Sequence, residues 1–140
     1  MKLYEYQGKE LFKRAGIPVP QGILAKDQDG AKAAVAQMGL PVVAKAQVLA
    51  GKRGKAGLIR FCNSQEEAVE CVTQWIGRRH GGETITSVLL EKPLDIQREM
   101  YLSVTIDPAA GMPVVVACGE GGMEIEEIAS QKPEAIVRQP

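Results

Sequence analysis

The sequence predicts an α/β chain: a small layer in which strands alternate with helices, followed by a run of antiparallel strands. Three observations predict it. Apolar residues recur at helical spacing in separate stretches before residue 77, short β-branched runs divide those stretches, and past residue 86 strand-like runs succeed one another with only turns between them. Composition agrees with a packed globular domain, since 140 residues with 45% hydrophobic and 24% charged side chains suffice to bury a core.

Over residues 4–15, Tyr4, Gly8, Leu11, Phe12 and Ala15 fall on one helical stripe. Gly16 stands where a C-cap would, and Pro18 and Pro20 bar continuation. Residues 21–25 read as a short strand. Turn and cap residues occupy 27–30, and Ala31, Ala34, Val35 and Met38 then mark a second amphipathic helix closed by Gly39. The run Pro41-Val42-Val43-Ala44-Lys45-Ala46 reads as a buried strand carrying one lysine near its exit. A glycine- and base-rich loop, Gly51-Lys52-Arg53-Gly54-Lys55, leads into a strand at 58–61. The third helix gives the plainest signal: Ser64 and Glu67 form a capping box, Ala68, Cys71, Val72, Trp75 and Ile76 keep the i, i+3, i+4 rhythm, and Gly77 ends it. Residues 78–83 read as a polar loop. Strand runs follow at 87–91, 99–106 and 113–118, the last two joined as a hairpin by a Pro- and Gly-containing turn. Past Gly119 the chain is glycine-rich and then acidic, with a weak helical pattern at Ile125, Ile128 and Ala129. Phe12 and Trp75, both on helical stripes, are expected in the core.

Several function classes fall away. The 17 basic and 17 acidic residues leave no net charge to draw the chain to nucleic acid or a membrane surface, so any anion site must be a local cluster. No apolar stretch is long enough to span a bilayer, and no basic-then-apolar leader follows Met1. Cys62, Cys71 and Cys118 make no CxxC pair and are odd in number, which argues for reduced, buried thiols. The expected location is cytoplasmic, or the mitochondrial matrix in a eukaryote. His80 is the sole histidine, so neither a catalytic dyad nor a metal cluster forms around it.

Two groups of residues stand out chemically. Lys45 is followed shortly by the loop 51–55, and a triphosphate needs both elements: glycine lets backbone N–H groups approach closely, while lysine and arginine supply fixed positive charge. The pattern is neither GxxxxGK[ST] nor GxGxxG, and by pattern alone a solvated basic loop is the commoner source. Glu91 closes an apolar run and Glu99 opens the next strand. They read as an acid–base pair of the glycosidase kind, as acceptors for ribose hydroxyls, or as ordinary exposed glutamates. Glu124, Glu126 and Glu127 suggest either a cation site or a solvated helix start. Lys52, Arg53 and Lys55 lack the broad basic face and aromatic platform of a nucleic-acid binder.

Taken in order, these segments resemble one family. Leu3-Tyr4-Glu5-Tyr6-Gln7-Gly8-Lys9-Glu10-Leu11-Phe12 with Gly16-Ile17-Pro18-Val19-Pro20 is similar to the start of succinyl-CoA synthetase β subunits. The run from Val43 to Gly57 resembles that family's phosphate-binding segment. Leu90-Glu91, Asp95-Ile96, Glu99-Met100-Tyr101-Leu102 and Glu120-Gly121-Gly122-Met123-Glu124-Ile125-Glu126 follow in register. The similarity covers essentially all 140 residues. It implies an ATP-grasp fold, an α+β sandwich, with this chain as its amino-terminal nucleotide-binding part, residues 1–140. Carried over, Lys45 contacts the α- and β-phosphates and Lys52, Arg53 and Gly54 form the loop over the phosphates. Glu91 and Leu94 lie at the adenine hinge, Leu94 through its backbone, and Glu99 holds the ribose.

The implied chemistry joins a dicarboxylate such as succinate to CoA, using ATP or GTP, through an acyl phosphate and a phosphohistidine. The phosphohistidine belongs to a partner α subunit in a heterodimer or heterotetramer, and His80 is not its counterpart. Two departures bear on the loop: Lys52 replaces a glycine usual in the family, and Leu49 stands where many relatives carry histidine. The family's magnesium ligands fall beyond residue 140, so the chain is expected to be a fragment, without catalytic or metal-ligating residues of its own and inactive alone. A short non-catalytic module that binds nucleotide or docks on an α subunit, and a malate-CoA ligase fragment, are the alternatives.

Overall fold

The computed structural model describes residues 2–122 and 125–139. The chain divides into two compact units, Met1–Leu94 and Asp95–Pro140. Each is built from the elements the sequence pattern announces, with corrections at three places.

The first unit runs α1 (Glu5–Arg14), β1 (Gly22–Ala25), α2 (Gln28–Met38), β2 (Val42–Ala46), β3 (Ile59–Cys62), α3 (Gln65–Trp75), β4 (Arg79–His80), β5 (Glu83–Thr84) and β6 (Val88–Glu91). Four strands form a sheet in the order β1-β6-β2-β3, every neighbour antiparallel. Its core is one cluster of α2 side chains (Ala31, Ala34, Val35), α3 side chains (Ala68, Cys71, Val72, Trp75) and strand residues including Val42, Ala44, Ala46, Val88 and Leu90. The central strand β6 is buried throughout, whereas β2 alternates: Val42, Ala44 and Ala46 are buried and Val43 and Lys45 only partly so. That alternation follows from the two-residue period of a strand and turns Lys45 away from the core face.

Caps fix the two core helices. Asp27 accepts from the Gly30 N–H at 2.7 Å, and Gly39 follows the last turn of α2. Ser64 accepts from the Glu67 N–H at 3.2 Å. The Glu67 carboxylate accepts from Asn63 at 2.7 Å, one residue before the cap itself, so the expected box closes one step early. Cys62, Cys71 and Cys118 are free and buried, as expected.

Helix α1 corrects the first reading. None of its residues is buried, and Phe12, expected in the core, is 53% exposed. The stripe is only half covered at Tyr4 and Gly8 and is exposed at Leu11, Phe12 and Ala15; the helix is held by polar contacts described below. The second correction lies at 78–83, expected as a loop and found as the two-stranded hairpin β4–β5. Gly81 and Gly82 form its turn with φ of +59° and +88°, the double left-handed conformation such turns require. Strands of two residues are too short to show alternation in sequence.

The second unit contains β7 (Tyr101–Asp107), β8 (Met112–Cys118), α4 (Ile125–Gln131), a 3₁₀ turn (Pro133–Ala135) and β9 (Ile136–Gln139). The expected hairpin forms, from Tyr101 opposite Cys118 to Asp107 opposite Met112. Its turn is closed by the Asp107 carboxylate, which accepts from Ala109 at 2.8 Å and Ala110 at 3.2 Å. The third correction is β9, which adds to β8 and gives the order β7-β8-β9. Val114, Cys118 and Ile128 are the buried apolar residues described in this unit. Edge strand β7 leaves Leu102, Val104 and Ile106 at 72%, 73% and 59% exposure. No described helix of either unit is long and apolar enough to cross a membrane.

Candidate functional site

Lys45 lies opposite Leu89 of β6 and Ile59 of β3. Its ammonium donates to Glu91 Oε1 at 2.6 Å and to Glu5 Oε1 at 3.2 Å. Glu91, the last residue of β6 and only 4% exposed at its side chain, also takes a bond from Lys9. Lys9 in turn pairs with Glu5 at 2.8 Å, one helical turn back along α1. Arg53 reaches in from the basic loop and donates to Glu5 Oε2 at 2.8 Å and to the Ala46 carbonyl at 3.0 Å. Three cations therefore share two carboxylates, leaving a local surplus of one positive charge.

The electrostatics follow from that sharing. Burial alone would push the Glu5 carboxyl up. The hydrogen bond from Lys9 and the charges of Lys45, Lys9 and Arg53 outweigh it and hold the group at about 2. Burial would likewise lower the Lys45 ammonium, but the hydrogen bond to Glu91 and the charges of Glu5 and Glu91 raise it above its ordinary value. Both groups are ionised throughout the neutral range.

Gln47 supports the arrangement from below. It is 1% exposed, accepts the Tyr6 N–H at 3.1 Å, and donates to the Lys45 carbonyl at 3.0 Å. The start of α1 is thereby fixed to the end of β2. Beyond it the basic loop folds on itself, with Ala56 donating to Lys52 at 3.1 Å, Gly57 to Gly54 at 3.1 Å and Leu58 to Arg53 at 2.9 Å. Lys52 adopts φ +65°, a left-handed conformation that costs a non-glycine residue about 1 kcal/mol.

Beside the cluster lies a cavity of about 500 Å³ whose wall includes Val19, Pro20, Leu24 and Leu89, with Lys9 and Glu91. Lys45 and Arg53 are not part of that wall; the cavity adjoins them through Lys9 and Glu91. Gln7, Glu10, Lys13 and Gln21 also line the wall, so the slot is part apolar and part polar. Beside a buried carboxylate and a patch of surplus positive charge, it suits a flat ring carrying an anionic tail.

Of the residues expected from sequence, Lys45 and Arg53 meet on Glu5, and Glu91 joins them through its own bond to Lys45. Lys52 and Gly54 flank Arg53 on the exposed loop, and Leu94 is 62% exposed just past β6. Glu99 belongs to the second unit, where Gly121 and Gly122 lie close against it. A Cβ on Gly121 would stand 2.7 Å from the Glu99 backbone, and one on Gly122 would fall on its carboxylate. Of the acidic group at the start of α4, Glu124 and the side chain of Glu126 lie outside the described residues. Among described residues no three His, Cys, Asp or Glu side chains gather as a metal site. His80 faces the Gly51 carbonyl at 3.0 Å. Sequence reasoning missed Glu5, Lys9 and Gln47 as site residues; the i, i+4 spacing of Glu5 and Lys9 on one helix was the available signal.

An antiparallel sheet backed by two helices, a separate strand-rich unit after it, and a strand lysine leading into a basic glycine loop are the marks of an ATP-grasp protein. The ATP-grasp domain model matches residues 2–140, and the chain belongs to that family. Among curated relatives, the succinate–CoA ligase [ADP-forming] subunit beta of Ignicoccus hospitalis is 44% identical over 140 residues, covering all of this chain and 37% of the relative. The ADP-forming sulfoacetate-CoA ligase subunit SauC of Bilophila wadsworthia is 42% identical over 137 residues, covering 98% of this chain and 36% of the relative. The chain thus spans little more than a third of these relatives' length. Among solved structures, a protein from Pyrococcus horikoshii Ot3 matches with a TM-score of 0.75 and 26% identity over 98% of this chain and 57% of its own. A dinucleotide-forming acetyl-coenzyme A synthetase of Ca. Korarchaeum cryptofilum matches with a TM-score of 0.78 at 23% identity, over 99% of this chain and 59% of its own, a likeness of fold.

Proposed function

We propose that this chain is the nucleotide-binding portion of an ADP-forming acid–thiol ligase of the succinate-CoA type. In this reading a longer β subunit and its α partner join a dicarboxylate to CoA at the expense of ATP, with GTP as the alternative nucleotide. The observation that carries it is the cluster in which Lys45 and Arg53 meet over Glu5 and Glu91. Lys45 takes the α- and β-phosphates, and Lys52, Arg53 and Gly54 close over them. Glu91 and the Leu94 backbone face the adenine, and Glu99 holds the ribose. The names of the relatives support a CoA ligase and vary in the acid, succinate in one and sulfoacetate in another, so succinate is the first choice and malate or a sulfonated acid the alternatives. Magnesium would supply charge neutralisation at the phosphates. The described residues do not gather a ligand set for it, and the reading assigns those ligands beyond residue 140.

Titration calorimetry with ATP and magnesium tests the site. Lys45→Ala and Arg53→Ala are each expected to weaken binding at least about tenfold, the loss of one charge-assisted contact. Glu91 keeps Lys9 as a partner in Lys45→Ala, so the fold survives the change. Wild-type affinity in both variants would remove the site.

A further inference from the structure

The β4–β5 hairpin meets the basic loop through contacts that nucleotide binding leaves unused. Glu83, the first residue of β5, turns its carboxylate to the start of that loop. Oε1 accepts the backbone N–H of Leu49 and, at 3.3 Å, that of Ala50. Oε2 accepts the Tyr4 hydroxyl at 3.2 Å. From β4, His80 donates its Nε2–H to the Gly51 carbonyl at 3.0 Å. Between these ties, a Cβ at Gly81 would fall on the Ala50 methyl, so the hairpin tip rests directly on the loop.

Two successive backbone N–H groups converging on one oxygen are how a chain holds an anion. Here the anion is the protein's own, delivered from more than thirty residues away. The Leu49 and Ala50 N–H groups are therefore already satisfied, and Lys52, Arg53 and Gly54, further along the loop, are where the proposed site has an incoming phosphate bind. Ordering a glycine-rich loop at the moment of binding costs affinity, and a loop tied down beforehand avoids that cost.

We propose that the β4–β5 hairpin is a strap that pre-orders the basic loop for a nucleotide's phosphates, with Glu83 as the positioning residue and His80 as the second tie. The inference rests on the reading of Lys45 and Arg53 as phosphate ligands. The strap acts on the loop's backbone and touches no phosphate.

Residue-resolved amide exchange and ATP titration on the 140-residue chain, as wild type, Glu83→Gln and Glu83→Ala, test it. In Glu83→Ala, the Leu49 and Ala50 amides exchange about tenfold faster while those of Ala44 and Leu90 keep their wild-type rates. The dissociation constant for ATP rises about tenfold in the same variant. Glu83→Gln, which keeps one carbonyl acceptor, falls between the two. A generally destabilising change would instead speed the Ala44 and Leu90 amides as well; if Glu83→Ala does so, the same criteria apply to Glu83→Gln. Unchanged exchange at Leu49 and Ala50, or faster exchange with unchanged ATP affinity, overturns the strap. A wild type that binds no ATP sinks the phosphate reading and the strap with it, whereas a wild type that binds beside a Glu83→Ala that binds equally well sinks the strap alone.

Discussion

Glu5 bonds to Lys45, Lys9 and Arg53 together, and its acidity contributes to how the first unit responds to pH. Its carboxyl is held near 2 in the folded chain against an ordinary value of 4.5. The lowered value means its contribution is fully present above about pH 4.5 and is lost as the pH falls toward 2. That contribution is about 3 kcal/mol at most, from the linkage between pKa and stability. Denaturant unfolding between pH 6 and 2 is expected to show this acid limb in the wild type and a flatter one in Glu5→Gln. Lys45 has the opposite sign. Its raised value adds stability below 10.5 that is lost as pH climbs through the folded-state value. Lys45, Arg53 and Glu91 were legible in the sequence because each is a charge set against an apolar run or a glycine loop. Glu5 was not, because the apolar stripe of its helix pointed to a packing role and the polar face was left unread.

The capped elements of the first unit were the most legible. Helix α3 announced itself by Ser64, Glu67 and its spacing, and the cap bond from Glu67 to Ser64 bears this out. Ser64→Ala is expected to cost about 1 kcal/mol, seen as a lowered melting temperature with an unchanged ATP titration, since α3 lies on the core side of the sheet. Helix α1 misled for a physical reason: periodicity reports which side chains share a face and says nothing about what covers it. The β4–β5 hairpin escaped because its strands have two residues each, and its meaning lies in contacts with residues more than thirty positions earlier. Such contacts follow from how the sheet brings segments together and leave no local pattern.

For the molecule as a whole, the two units differ in how much apolar surface they remove from water. The first owns a continuous cluster from Ala25 to Leu90, while the described part of the second buries Val114, Cys118 and Ile128. Local opening should therefore cost less in the second. Amide exchange is expected to run faster in β7, β8 and β9 than in β2 and β6, and equal protection would contradict that ranking. The alternation from helix-bearing layer to clustered strands was readable from element order, which is why the fold class held. The place of β9 as the third strand of its sheet was not, since residues 136–139 carry little alternation and gain their conformation from pairing with β8.

Edge strand β7 has one more consequence. Leu102, Val104 and Ile106 stand in the solvent on a strand whose outer backbone groups have no neighbour in their own sheet among the described residues. Such an edge offers a template on which another extended segment can add, so a concentrated solution of this chain is expected to self-associate by strand addition. Val104→Lys places a charge in the middle of that row. It should raise the concentration at which light scattering first grows, without altering the affinity for ATP, since none of the proposed nucleotide contacts lies on β7. Shelf life and ligand affinity would then be set by different surfaces of the same chain, and each could be adjusted without disturbing the other.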